Sequence, residues 1–120
     1  MSDVLVVALE SVEPIELPGG SWSRMLITGD RAEGTRSSIG FSTFKPRTRT
    51  PSVRHEVEEL VYVVSGSGHL ELEGDRVEFA PGDAIHVPPG IWHAVVNESD
   101  EEITMVFGFP HPEYPPTERV

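Results

Sequence analysis

Apolar and polar residues alternate with a period of two along much of the chain. In "ITMVFGF", Ile103, Met105, Phe107 and Phe109 fall on one side, as expected for a strand with one face in a core. In "GHLELEGDRVEF", Leu70 and Leu72 share a face opposite His69, Glu71 and Glu73. A hairpin turn at Gly74 and Asp75 then returns Val77 and Phe79 to the apolar side. On this pattern His69 is expected in solvent. "SWSRMLITG", "SSIGFSTFKP", "LVYVV", "AIHVP" and "HAVVN" read as further strands, set off by the turn clusters SGSG, EGD, APGD, PPG and ESDE. No window keeps a helical i, i+3, i+4 pattern without Gly or Pro interrupting it. The apolar run Val4 to Leu9 is expected to form a first strand and to cover a sheet edge. "PHPEYPPTERV" holds four prolines in eleven residues, so it is expected as an extended tail (residues 110–120) that lies across a surface without entering the middle of a sheet.

Many short strands between turn clusters point to an all-β sandwich or barrel. With 120 residues the chain makes one domain, residues 1–120. Composition changes this picture only by exclusion. Twenty acidic against nine basic residues give a net charge of −11, which repels nucleic acid and anionic membrane surfaces. There is no cysteine, so disulfides, thiolate nucleophiles and Cys-based zinc sites are ruled out. The Val4–Leu9 run lacks a basic flank and is too short for a signal or a membrane span, so a cytoplasmic location is expected.

Without cysteine, a metal site would have to be built from histidine and carboxylate. The histidines are His55, His69, His86, His93 and His111. His111 lies in the Pro-rich tail, and His69 sits among glutamates. His55 stands four residues before Glu59. Both would share one face of a continuous strand, or a tight turn between them would bring them together. His86 sits among apolar residues, as a structural residue, a pocket wall or a replacement metal ligand. The arginines of "KPRTRTPSVR" read as a solvated strand edge, or as a source of one guanidinium at a cavity mouth for a carboxylate.

Two segments carry a resemblance. "GDAIHVPPGIWHAVVN" resembles the second motif of the cupin superfamily, G-x5-P-x-G-x2-H-x3-N, with Gly82, Pro88, Gly90, His93 and Asn97 in register. "HEVEELVYVVSG" is similar to the end of the first motif, G-x5-H-x-H-x3/4-E-x6-G, through His55, Glu59 and Gly66. The leading Gly of that motif would fall at Arg47 and its leading His at Val53. The resemblance implies a double-stranded β-helix, a jelly-roll barrel of two antiparallel sheets. It also implies a divalent transition metal, Fe(II), Mn(II), Ni(II) or Zn(II), held by His55, Glu59 and His93 and bound more weakly for want of the first motif's leading histidine. The Pro88-Pro89-Gly90 corner would set the depth at which His93 enters, with Trp92 turned to the other face. His93 as a core histidine bonded to Glu59, and Glu59 as partner of Arg54, are the competing readings.

By the same resemblance the protein would act on a small apolar or aromatic oxygenated molecule by dioxygenase-, cyclase- or isomerase-type chemistry, with Glu59 as a catalytic base. The alternative is a non-catalytic ligand-binding or sensor cupin. Val53, Tyr62, His86, Met105 and Phe107 are the expected substrate contacts, within a dry wall of Val61, Val63, Leu70, Leu72 and Phe79. A homodimer is expected, with neither nucleic acid nor membrane as partner.

Overall fold

The computed structural model describes residues 3–120. Twelve strands build three antiparallel sheets. In chain order they are β1 (Ile15–Glu16), β2 (Trp22–Ile27), β3 (Ser38–Phe44), β4 (Thr48–Arg49), β5 (Val53–His55) and β6 (Glu59–Ser65), then β7 (Gly68–Leu72), β8 (Asp75–Phe79), β9 (Ala84–Val87), β10 (Ala94–Asn97), β11 (Ile103–Phe109) and β12 (Thr117–Arg119). The larger sheet has six strands in the order β1-β2-β3-β11-β6-β9, and a four-stranded sheet runs β4-β10-β7-β8. The third sheet is the pair β12-β5. This is the β-barrel jelly roll.

The eight strands read from alternation are all present. β11 alternates without a fault, with Ile103, Met105, Phe107 and Phe109 at 0–5% exposure. Burying a side chain of this size stabilises the fold by about 1.5–3 kcal/mol. These residues meet Phe44, Val61, Val63 and Val87 of the large sheet and Leu70 and Phe79 of the small one in a single core. Phe107 lies over Gly40 of β3, where an added Cβ would stand 2.3 Å from its ring, so that crossing needs glycine.

Three expectations need correction. Residues 4–8 form no strand, and Val6 is 88% exposed; the first strand is Ile15–Glu16 instead. An apolar run supplies the residue types for a strand, but pairing needs a neighbour, and that edge is filled by β1 against β2. His69 is buried, not solvated. It lies on the outer face of β7, but Val96 and Glu78 flank it in register, and Glu98, itself 4.0 Å from Arg76, stands 4.0 Å from its Nδ1. Long charged side chains can cover an outward position as completely as a core does. Val77 is in register with Leu70 yet 44% exposed, because β8 is the outermost strand of its sheet.

The Pro-rich tail contributes more than a covering. It lies across the barrel and ends in β12, which pairs with the short β5 through Thr117↔His55 and Arg119↔Val53. Pairing there is compatible with its prolines because all of them precede the strand.

Candidate metal centre and cavity

The parity of three strands brings His55, Glu59 and His93 together. On β6, the inward row is Glu59, Val61 and Val63, and the outward row is Leu60, Tyr62 and Val64. On β5, Val53 and His55 face inward while Arg54 points out to Glu118 at 2.6 Å. Arg54 is therefore not the partner of Glu59; it also lies 4.8 Å over the Trp92 ring, outside the cavity. A bend at Glu56–Val57 separates β5 from β6, so His55 and Glu59 meet across a turn, not along one strand.

The Pro-Pro-Gly corner determines where His93 sits. Gly90 takes φ = +79°, a conformation that glycine adopts at no steric cost, and its N–H donates to the His55 carbonyl at 2.9 Å. Three residues on, His93 and Val53 exchange backbone hydrogen bonds of 2.9 and 3.0 Å. The corner thus ties the start of β10 directly to β5. Arg47 stands where the first motif has its leading glycine, and its backbone is left-handed, φ = +56°, a region that glycine enters at no steric cost.

His55 Nε2 and His93 Nε2 each lie 3.4 Å from Glu59 Oε1. The three side chains offer ligand atoms that all fall within 4.8 Å of one another. The outer nitrogens fix both tautomers. His93 Nδ1 is 2.8 Å from the Ile91 carbonyl, which only accepts, so Nδ1 carries the proton. The Thr117 hydroxyl donates to the Pro115 carbonyl at 2.8 Å, and its oxygen accepts from His55 Nδ1 at 2.7 Å. Both Nε2 atoms are left facing Glu59, the arrangement by which outer hydrogen bonds orient metal-ligating histidines. The donor set, two imidazoles and one carboxylate, fits a divalent transition metal.

The electrostatics agree with a tightly coupled trio. Burial works to raise the Glu59 pKa, but hydrogen bonds from His55 and His93 outweigh it and hold the carboxyl below its usual range. Burial works to lower the His93 pKa, yet the bonds to Glu59 and the Ile91 carbonyl raise it. His55 is boxed by rings, with Phe109, His93 and Tyr114 at 5.1, 5.2 and 5.6 Å between centroids. Burial and the nearby Glu59 charge push the Tyr114 phenol up, against smaller opposing effects of Arg119 and Thr117.

The trio borders a cavity of about 330 Å³, at the lower end of the ~300–1,000 Å³ range of small-molecule sites. Val53, Met105 and Phe107 line it, with Val61, Leu70, Val87 and Val95. Tyr62 and His86 do not, which corrects the expected substrate contacts. Tyr62 is 51% exposed on the outer face of β6, and His86 bonds Glu58 at 2.8 Å on the outer face of β9. The reason is parity. Glu59 inward places Tyr62, an odd number of residues along, outward; Val87 opposite Glu59 does the same to His86. Val63 and Phe79 belong to the packed end of the barrel, with Leu72 against it, and do not line the cavity. Sequence reasoning missed Tyr114, Thr117 and Arg119, because a Pro-rich segment carries no periodicity to show which residues turn inward.

Asn97, the last residue of the second motif, is 1% exposed. Its Nδ2 donates to the carbonyls of Phe44, Lys45 and Glu101 at 3.1, 3.1 and 2.8 Å, and its Oδ1 accepts from Ser99 N–H and Oγ–H. It clasps three chain segments at the end of β10.

The cupin domain model matches residues 40–109. The chain belongs to the cupin family. Among curated proteins it is 31% identical over 103 residues to polyketide synthase CurC of Streptomyces cyaneus, covering 85% of this chain and 66% of that protein. It is 32% identical over 74 residues to gentisate 1,2 dioxygenase 1 of Aquipseudomonas alcaligenes, covering 61% of this chain and 21% of that one. The chain thus spans just under two-thirds of the first and about a fifth of the second. Among solved structures, polyketide cyclase RemF from Streptomyces resistomycificus superposes with a TM-score of 0.81 at 28% identity, over 98% of this cupin and 85% of that chain. No helix among the described residues is long and apolar enough to cross a membrane.

Proposed function

We propose that this cupin is a metal-dependent enzyme of cyclase type, acting on a small aromatic or polyketide-like oxygenated molecule in the barrel cavity. The observation that carries this reading is the convergence of His55 Nε2, His93 Nε2 and the Glu59 carboxylate at the wall of a mainly apolar cavity, with both histidine tautomers fixed from behind. The similarity to CurC and RemF supports the cyclase class. A bound divalent ion would supply polarisation of a ligand oxygen, which acidifies the neighbouring C–H. Val61, Met105 and Phe107 hold the ligand body and exclude water. Glu59 completes the ligand set or, released from it, is the carboxylate available to accept a proton.

The test is elemental analysis of untagged protein beside His55→Ala and His93→Ala. Near-stoichiometric Fe, Mn, Ni or Zn that is lost in both variants is expected. Substoichiometric metal that added Fe(II) or Zn(II) does not restore would refute the reading. Turnover without dioxygen separates cyclase from dioxygenase chemistry. Val53 in place of a fourth ligand favours a second reading, a ligand-binding cupin without catalysis; there, His93→Ala would leave ligand binding intact with no turnover to lose. A homodimer is supported by exposed Leu60, Tyr62 and Val64 on the outer face of β6, and is checked by sedimentation at micromolar concentration.

A further inference from the structure

We propose that Arg119 anchors an anionic group of the ligand, so that the cavity takes an aromatic or polyketide-like acid and not a neutral molecule. The inference rests on the cavity being the ligand site proposed above, and it names the substrate class.

Strand pairing sets the direction of the side chain. β12 runs antiparallel to β5 with Arg119 opposite Val53, Glu118 opposite Arg54 and Thr117 opposite His55. Directly opposed residues point to the same side of a sheet, and successive residues point to opposite sides. The outer pair is Arg54–Glu118, joined by two hydrogen bonds of 2.6 and 3.0 Å. The inner pairs are therefore Thr117 with His55 and Arg119 with Val53, and the cavity lining contains all four except Thr117, whose hydroxyl stands behind the His55 ring. Arg119, exposed at the cavity rim, thus shares the inner side with the position where a valine replaces the first motif's histidine.

Charge makes that placement informative. Lys45, Arg24, Arg47, Arg49, Arg54 and Arg76 are each paired with a carboxylate. Among the described residues, Arg119 is the one Lys or Arg side chain that lines the cavity, and no carboxylate lies within ion-pair distance of it. Arg31 and Arg36 also form no ion pair but do not line the cavity, so what distinguishes Arg119 is its place: an exposed cation at the mouth of an apolar cavity, open to a ligand anion in a chain whose net charge is −11. A guanidinium is the side chain best matched to a planar carboxylate or an ionised β-dicarbonyl, through two parallel N–H···O bonds. Met105 and Phe107 line the same cavity and supply the apolar wall for the ring of such an acid.

The experiment titrates metal-free protein, by calorimetry or fluorescence, with 1-hydroxy-2-naphthoate and with its neutral amide. The acid is expected to bind more tightly than the amide. Arg119→Gln should weaken the acid by about 10–100-fold, the scale of a lost charge-assisted hydrogen bond, and leave the amide within about twofold. Glu118→Gln on the outer side of the same strand should leave both probes unchanged. Equal binding of acid and amide, no saturation by the acid at millimolar concentration, or equal loss of acid binding in Glu118→Gln and Arg119→Gln would overturn the proposal. Because the protein is metal-free in this titration, a failed metal analysis would leave an Arg119-dependent preference for the acid standing, and a loss of that preference would leave the metal result untouched.

Discussion

Replacing Asn97 tests whether this motif residue is a structural clasp or part of the reacting site. Its amide has two hydrogens for three carbonyl acceptors, so one hydrogen is shared, and its oxygen takes two donors from Ser99. Asn97→Ala removes all of these at once. Ser99 and the Glu101 carbonyl lie near the surface and can turn to water, whereas the Phe44 carbonyl bond is fully buried and loses its partner. A net of ~1 kcal/mol for each of the two donated bonds, plus ~1–2 kcal/mol for the stranded carbonyl, gives a loss of about 3–4 kcal/mol. At ~2.1 cal/mol/K per residue the 120-residue domain has an unfolding entropy near 0.25 kcal/mol/K. The expected fall in Tm is then about 12–16 °C. Asn97→Asp is expected to be worse than Ala, because it sets a carboxylate oxygen against three carbonyl oxygens in a buried place. The assay is thermal unfolding by circular dichroism, cross-checked by urea titration, with metal content measured on the folded protein. A loss under ~1 kcal/mol in Asn97→Ala, or an Asp variant more stable than the Ala variant, would refute the clasp. So would a normal Tm with lost metal, which would move Asn97 into the metal site.

Val53→His should supply a third imidazole, and so a fourth ligand, on the inner side of β5 beside His93. Chelator competition should then show tighter Zn(II) binding by no less than the roughly 10–100-fold that an outer hydrogen-bond partner carries; unchanged affinity would mean that position 53 does not reach the site. Tyr62→Ala and His86→Ala, both on the outer face, should leave metal stoichiometry and probe binding unchanged, and a loss in either would contradict the parity of β6 and β9. For the metal-free protein, the pH dependence follows from the directions at Glu59 and His93. The raised His93 pKa gives stability that is full below the ordinary value of 6.5 and lost as pH rises through the folded value. The lowered Glu59 pKa gives stability that is full above the ordinary value of 4.5 and lost as pH falls through the folded value. The Tm difference between the metal-free protein and its His93→Gln variant should therefore be largest between about pH 4.5 and 6.5; a difference that grows on the alkaline side would refute the assignment.

The barrel was legible because its strands each have one dry face. In β11 every second residue is apolar and buried, so alternation and fold agree residue by residue. The second motif was legible for a related reason, since a Pro-Pro-Gly corner constrains backbone, and a constrained backbone leaves a fixed spacing in sequence. Where the reading failed, the missing information lay between strands. His69 follows the alternation of β7 and does sit on the outer face, but its burial comes from neighbours on β8 and β10. Tyr62 and His86 could have been assigned correctly by counting from Glu59, which fixes the inward parity of β6 and, through pairing, that of β9. The family resemblance offered them as substrate contacts, and parity excludes them. Nothing local marked the end of the chain, because β12 exists only through its pairing with β5.

That last pairing joins the two halves of the functional reading. Thr117 fixes the His55 tautomer from behind, Tyr114 packs on the His55 ring, and Arg119 comes from the same segment to line the cavity mouth. The Glu56 N–H donates to the Pro116 carbonyl at 3.1 Å, which holds this strap at the bend between His55 and Glu59. A displacement of the strap would therefore remove the proposed acid anchor and free His55 Nδ1 together, while His93, oriented by the Ile91 carbonyl of its own corner, would keep its tautomer. The two histidines of the site are thus held by independent means. Thr117→Val separates them: it should loosen metal binding through His55 alone, with the His93–Glu59 contact intact, and equal loosening of both histidine ring signals by NMR would argue that a single element orients the pair.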